Sequence, residues 1–221
     1  MALTAHQITV RYGRHQVLDR VDFTVPEATT IGLAGPSGCG KSTLARVLAL
    51  LHKPSSGTVS IGGHHTPGWR HRAPRQLRTR VAIVFQQPRL AVDPRLRLRD
   101  IILEPLHATG LGADASARLP ALTGPVGLTA ELLDRRPHEV SDGQLQRACL
   151  ARALALQPRY LICDEMTTML DASTQAHLVA VVQEYQQRTG AGVLAISHDP
   201  VLLDRWADAT LTWPLTGVAL P

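Results

Sequence analysis

Residues 35–43 read Gly-Pro-Ser-Gly-Cys-Gly-Lys-Ser-Thr. Spaced glycines followed by a lysine and two hydroxyl side chains describe a phosphate-binding loop. Gly35, Gly38 and Gly40 allow the backbone to curl so that successive N–H groups face one anion. The apolar run Thr30–Ala34 leads in as a strand. The run Lys41–Leu51 leads out as a helix, whose positive end points at the same place. Gly35, Pro36, Ser37, Gly38, Cys39, Gly40, Lys41, Ser42 and Thr43 are thus expected to cradle a nucleotide. Lys41 supplies charge between the β- and γ-phosphates, Ser42 ligates Mg²⁺, and Thr43 reaches an α-phosphate oxygen. Cys39 has no expected chemical role of its own.

Outward from the loop, further strands are expected at Ile8–Arg11, Val21–Val25, Val59–Ile61, Val81–Phe85, Tyr160–Cys163, Val193–Ile196 and Ala209–Trp213. Helical patterns occupy Leu98–His107, Ala130–Leu133, Gly143–Leu156 and Thr174–Thr189. Strands alternating with helices imply an α/β fold with a mostly parallel sheet, and the early strands an antiparallel sheet feeding into it. The stretch from about Arg95 to Leu133 lacks strong strand signals and reads as an inserted helical subdomain, carried by Leu96, Leu98, Ile101, Ile102, Leu106 and Leu111. No element is assigned to Ala113–Gly127, which is rich in Ala, Gly and Pro. The strand Tyr160–Cys163 delivers Asp164 and Glu165 to the carboxyl edge of the parallel sheet, where such folds place ligands. There Asp164 would hold Mg²⁺ through water, and Glu165 would orient and polarise an attacking water.

Bulk properties narrow the class. The chain has 221 residues, 44% hydrophobic and 19% charged, as in a globular protein with a sizeable core. Aromatic residues make up only 4%, so aliphatic side chains must fill that core. Cys39, Cys149 and Cys163 lie far apart with no metal-ligand spacing, which fits a reduced intracellular protein. No run approaches the roughly 18 apolar residues a membrane span needs, and the N-terminus carries no secretory pattern. A cytoplasmic protein able to dock on a membrane protein is expected. The formal charge of +5 comes almost wholly from arginine, clustered at Arg70–Arg80 and Arg89–Arg99. Without interleaved aromatics these clusters suit solvated faces and acidic or phosphate contacts, and no nucleic-acid partner is expected.

With these residues in place the chain resembles the nucleotide-binding subunit of ABC transporters, from Ile8 to about Trp213. Val-Ser-Asp-Gly-Gln at 140–144 resembles that family's signature, and Leu-Gln-Arg-Ala-Cys-Leu-Ala-Arg-Ala-Leu follows it. Phe85-Gln86-Gln87-Pro88 matches the Q-loop, Thr168-Met169-Leu170-Asp171 the D-loop, and Ile196-Ser197-His198-Asp199 the switch-histidine region. The resemblance implies one ABC ATPase domain over 1–221, with a RecA-like core at about 1–90 and 155–221 and a helical subdomain at about 91–154. It implies that Tyr12 stacks on adenine, that Gln86 serves catalysis and Mg²⁺, and that His198 contacts the γ-phosphate. It also implies that two such subunits face head to tail. Ser141, Gly143, Gln144 and Asp171 of each would then close over the other's ATP. The opening of a helix at Ser141 agrees physically, because a helix N-terminus is an anion site.

Two permease subunits, a second ABC ATPase subunit and, indirectly, an extracytoplasmic solute-binding protein are the implied partners. The implied location is the cytoplasmic face of the inner or plasma membrane. Val84–Pro88, Asp93-Pro94-Arg95 and Asp100–Leu106 resemble the ATPases of peptide and nickel importers, so nickel, metal chelates or di- and oligopeptides are the expected cargo. Soluble ABC ATPases acting on nucleic acid or ribosomes are the competing class. They usually carry two cassettes or a long coiled-coil insertion, and neither is seen here. An exporter subunit is disfavoured by the same peptide/nickel-type runs.

The sequence departs from the family pattern at the signature and the D-loop. Val140 replaces the usual Leu and Asp142 the usual first Gly. Asp142 adds like charge beside a γ-phosphate, points outward, or caps the following helix. The residues leave all three open. Met166-Thr167-Thr168-Met169 replaces the usual Pro-Thr-Ser-Ala. Subclass members often carry a C-terminal extension, and none is expected after the last strand. His64, His65 and His71 fall in a turn-rich segment and read as exposed loop residues, not metal ligands. Arg135, Arg136 and His138 either position the signature or are solvated.

Overall fold

A computed structural model describes residues 1–168 and 170–214. Met169 of the expected D-loop lies outside the described residues. Strands β1 (Ala2–Tyr12) and β2 (His15–Pro26) form a hairpin closed by Gly13 and Arg14, with Gly13 at φ +59°. There follow β3 (Thr30–Ala34), α1 (Lys41–Leu48), β4 (Ser56–Ile61), β5 (His64–His65), α2 (Arg75–Arg78) and β6 (Val81–Val84). Next come α3 (Leu98–Ala108), α4 (Ala115–Thr123), α5 (Ala130–Leu133) and α6 (Asp142–Leu154). The chain continues through β7 (Tyr160–Asp164), α7 (Ala172–Thr189), β8 (Gly192–Ile196), α8 (Pro200–Trp206) and β9 (Ala209–Thr212).

Two sheets result, an antiparallel one in the order β2-β1-β4-β5 and a second in the order β6-β7-β8-β3-β9. In the second sheet β7, β8, β3 and β9 run parallel. The α/β class expected from the residues is the one observed. Ile196 pairs with both Leu33 and Asp164 across the ladder. The segments leaving β3, β7 and β8 therefore emerge from one edge.

The chain divides into two compact units. The first takes the described residues of 1–83, 159–165 and 185–221; the second takes 84–158 and 166–184. The first buries an aliphatic core in which Leu3, Ile8, Leu33, Leu44, Leu48, Ile162 and Leu194 are fully enclosed. In the second, α3 packs on α4 and α6. Leu98, Ile101, Ile102 and Leu106 are buried there, the 3/4 spacing of one helical face. The expected Leu111 is partly exposed.

The elements depart from expectation for local reasons. β1 starts six residues before the expected Ile8, because Ala2 to Ala5 pair with β2 although a shift in register interrupts the alternation. The α1 helix stops at Leu48, and Leu50 turns to φ +61°. The unassigned stretch 113–127 contains α4, with Pro120 inside it. Asp199-Pro200 opens α8, a helix not assigned from the sequence. The Asp199 carboxylate accepts from Val201 N at 2.9 Å, and proline at the first helical position gives up an N–H that would be unsatisfied anyway.

Candidate functional site

Between β3 and α1 the loop 35–40 turns on three glycines with positive φ. Gly40 caps α1 at φ +112°, and a Cβ there would come 2.9 Å from Leu18 Cδ2. Pro36, Ser37, Gly38 and Ser42 are exposed, and Thr43 is half-buried. Lys41 is only 4% exposed. Its ammonium donates to the carbonyls of Gly35 at 2.7 Å and Pro36 at 2.8 Å, and lies 3.8 Å from Cys39 Sγ. A buried charge needs such partners. Here they are the loop's own carbonyls, so the lysine braces the curl of the loop.

Asp164 ends β7, is 4% exposed, and accepts from Ser42 Oγ at 3.0 Å. Burial pushes its pKa above the usual carboxylate range. The Ser42 hydrogen bond opposes that rise and the Glu165 charge adds to it. A hydroxyl and a carboxylate at this separation, beside an anion cradle, form the donor set a hard divalent cation takes. Glu165 follows in a left-handed conformation, φ +48°, with its N–H held by Ile196 O at 3.1 Å. Such a backbone costs roughly 1–2 kcal/mol for a non-glycine residue, and strain of this kind gathers at working sites. The twist turns the Glu165 side chain toward the loop after β8, where His198 Nδ1 lies 3.4 Å from Glu165 Oε2. His198 is half exposed.

Tyr12, at the end of β1, is exposed and tilts at 44° against the His52 ring, centroids 5.3 Å apart. Burial lowers the His52 pKa first, and Arg70 and Arg46 lower it further, which favours the neutral imidazole.

The second unit holds the remaining expected residues. Ser141 caps α6 through a reciprocal pair of bonds: Gln144 N donates to Ser141 Oγ at 3.2 Å, and Ser141 N donates to Gln144 Oε1 at 3.0 Å. Asp142 does not cap the helix. It stands at the first helical position with its carboxylate 2.7 Å from Arg89 Nε. Asp171 caps α7. The Ser173 hydroxyl, then the N–H and hydroxyl of Thr174, hold its pKa well below the usual carboxylate value. Gln86 is half-buried and lines a small cleft with Pro88, Asp142, Gln146, Met166 and Leu170.

The ABC transporter family matches residues 18–168 of this sequence. The chain belongs to that family. The nickel import ATP-binding protein NikE of Rhodospirillum rubrum is 42% identical over 197 residues, covering 88% of this chain and 71% of that protein. NikE of Shigella boydii is 39% identical over 204 residues, covering 90% of this chain and 76% of that protein. Among solved structures, the ATP-binding cassette MJ0796 in a dimeric post-hydrolysis state bound to ADP and Pi aligns with a TM-score of 0.85 at 25% identity, over 95% of this chain and 93% of the other. An ATP-binding subunit of an ABC transporter aligns with a TM-score of 0.82 at 27% identity, over 96% of this chain and 85% of the other.

In this ABC cassette the phosphate loop, Asp164, Glu165 and His198 gather at one edge of the parallel sheet. Ser141, Gly143, Gln144, Asp171 and Gln86 belong to the second unit. Three residues that sequence reasoning passed over stand close to the expected ones. His52 meets Tyr12. Gln146, 1% exposed, donates from Nε2 to Phe85 O and to Met166 O, both at 2.9 Å. Arg89 reaches Asp142. A glutamine and an arginine in helical or basic runs carry no signal of their own, since only the fold supplies their partners. The histidines His64 and His65 form β5 and are exposed. Among the described residues no group of three His, Cys, Asp or Glu side chains could hold a metal ion.

Proposed function

We propose that this ABC family ATPase binds MgATP on its own phosphate loop and hydrolyses it to drive import of nickel or a nickel chelate. Membership of the family makes it an ATPase coupled to transport. The observation that carries the detailed reading is the convergence of Lys41, Ser42, Asp164, Glu165 and His198 at one sheet edge. Loop N–H groups and Lys41 would hold the β- and γ-phosphates, and Tyr12 would stack on adenine. Ser42 and Asp164 would hold Mg²⁺, which supplies charge neutralisation at the phosphates. Glu165 would orient the attacking water and accept its proton, while His198 holds the Glu165 carboxylate and meets the γ-phosphate. Ser141, Gly143, Gln144 and Asp171 would serve the nucleotide of a second subunit, as helix starts suited to anions.

We read the chain as one ABC ATPase domain, with a RecA-like core at about 1–90 and 155–221 and a helical subdomain at about 91–154. The division into two compact units supports breaks near residues 84 and 158, but it groups 166–184 with the second unit and not with the core. Partners would be two permease subunits and a second ABC ATPase, with a solute-binding protein acting through the permeases at the cytoplasmic face of the membrane. The cargo rests on the likeness to the NikE proteins and on the runs at 84–88, 93–95 and 100–106. Uptake of radioactive nickel by cells carrying the assembled transporter tests it. Lys41→Ala should abolish uptake and ATP binding together. Uptake of a dipeptide with no uptake of nickel would move the cargo to the peptide class.

A further inference from the structure

We infer that Arg89 is a positioning residue that fastens the signature loop, and that Asp142 is its anchor rather than a defect in the signature. The inference rests on the ATPase reading above and extends it to residues with no role in binding the chain's own nucleotide.

Arg89 spends its whole guanidinium on one loop. Nε donates to Asp142 Oδ1 at 2.7 Å, Nη1 to Pro137 O at 2.6 Å, and Nη2 to Val140 O at 3.0 Å. The three acceptors bracket Ser141, two before it in the chain and one after. A planar fork with fixed donors sets the relative positions of its acceptors in a way a flexible ammonium does not. The Val140 contact fixes the peptide that leads into Ser141. The Asp142 contact fixes the first turn of α6, whose N–H groups are the proposed anion site.

Charge follows the same logic. A carboxylate at the first helical position suits the helix dipole, yet it would repel a γ-phosphate brought to that helix start. Arg89, at hydrogen-bonding distance, neutralises it. Glycine at 142, the residue the family pattern leads one to expect, would leave Arg89 without its anionic partner. Arg89 also sits in the short turn Pro88–Leu90, three residues after Gln86. The same strand-to-turn segment is tied to α6 a second time by Gln146, whose amide donates to Phe85 O. The segment Phe85–Leu90 is thereby joined to the signature loop by Arg89 and to α6 by Gln146, within one unit.

The test compares wild type, Arg89→Ala, Asp142→Ala, the double variant and Arg89→Lys in two measurements. The first is binding of a fluorescent ATP analogue to the full chain. The second is the ATP dependence of hydrolysis by the assembled transporter. Both single variants should bind the analogue within about twofold of wild type and raise the KM for ATP about tenfold, the size of a charge-assisted contact. The double variant should be no worse than Arg89→Ala alone, because that change already removes the Asp142 contact. Arg89→Lys keeps charge without the fork, so its KM should fall between those of wild type and Arg89→Ala. The ion pair is half exposed, so its loss should leave the thermal unfolding midpoint nearly unchanged. An unchanged or lowered KM in Asp142→Ala, or additive losses in the double variant, would overturn the inference. Failure of the wild-type chain to bind the analogue would overturn the ATPase reading instead, and with it the basis of this one.

Discussion

Asp164 sits where its own charge is least welcome. Burial raises its pKa, so the folded chain binds its proton more tightly than the unfolded chain does. Stability then falls as pH rises from the unfolded value through the folded one, and at neutral pH the ionised form is a cost to the fold. Asp164→Asn keeps an acceptor for Ser42 and removes that charge. In nucleotide-free protein at pH 7.5 it should raise the unfolding midpoint by roughly 2–4 °C for each kcal/mol recovered. The gain should shrink as pH is lowered into the range where Asp164 is protonated, and hydrolysis should be lost at every pH. Thermal unfolding across pH checks the sign. Tyr12 makes a separate claim at this scale. Tyr12→Ala should raise the KM for ATP several-fold with little change in kcat, and Tyr12→Phe should restore it, because the ring face and not the hydroxyl is proposed to meet the base.

Among the elements, α6 is the most informative. Its start depends on the reciprocal bonds between Ser141 and Gln144. Ser141→Ala removes the side-chain acceptor and should cost about 0.5–2 kcal/mol of stability by denaturant unfolding. Gln146→Leu is the sharper test of packing. It leaves the carbonyls of Phe85 and Met166 without their donor in a buried place, which should cost about 1–3 kcal/mol. The β3–loop–α1 unit could be read from the residues, since an apolar strand, three glycines and a helix leave little else for the backbone to do. Asp164 and Glu165 were legible for a similar reason, standing where a short apolar strand stops. Other elements were hidden by local ambiguity. Proline in Asp199-Pro200 both breaks chains and starts helices, and the capping bonds of Asp199 decide which. The shift of register in β1 masks its alternation. Arg89 and Gln146 were illegible in principle, because their meaning lies in acceptors 20 to 61 positions away along the chain.

At the scale of the whole molecule, no helix among the described residues is long and apolar enough to cross a membrane. We propose that permease subunits form the transport path and that this chain's contribution is chemical work on ATP. The proposed anion site at Ser141 is on a different unit from the phosphate loop. We propose that it acts on the nucleotide of a second subunit. Glu165→Gln separates binding from hydrolysis most directly, since it keeps the size and polarity of the side chain and removes its basicity. The deciding measurement is the amount of ATP and ADP retained by the assembled transporter after incubation with MgATP, wild type against Glu165→Gln. The variant should retain intact ATP in a closed pair of subunits while its steady-state hydrolysis falls at least about a hundredfold. Turnover at the wild-type rate, with only ADP recovered, would contradict the proposed role of Glu165 and the clamp built on it.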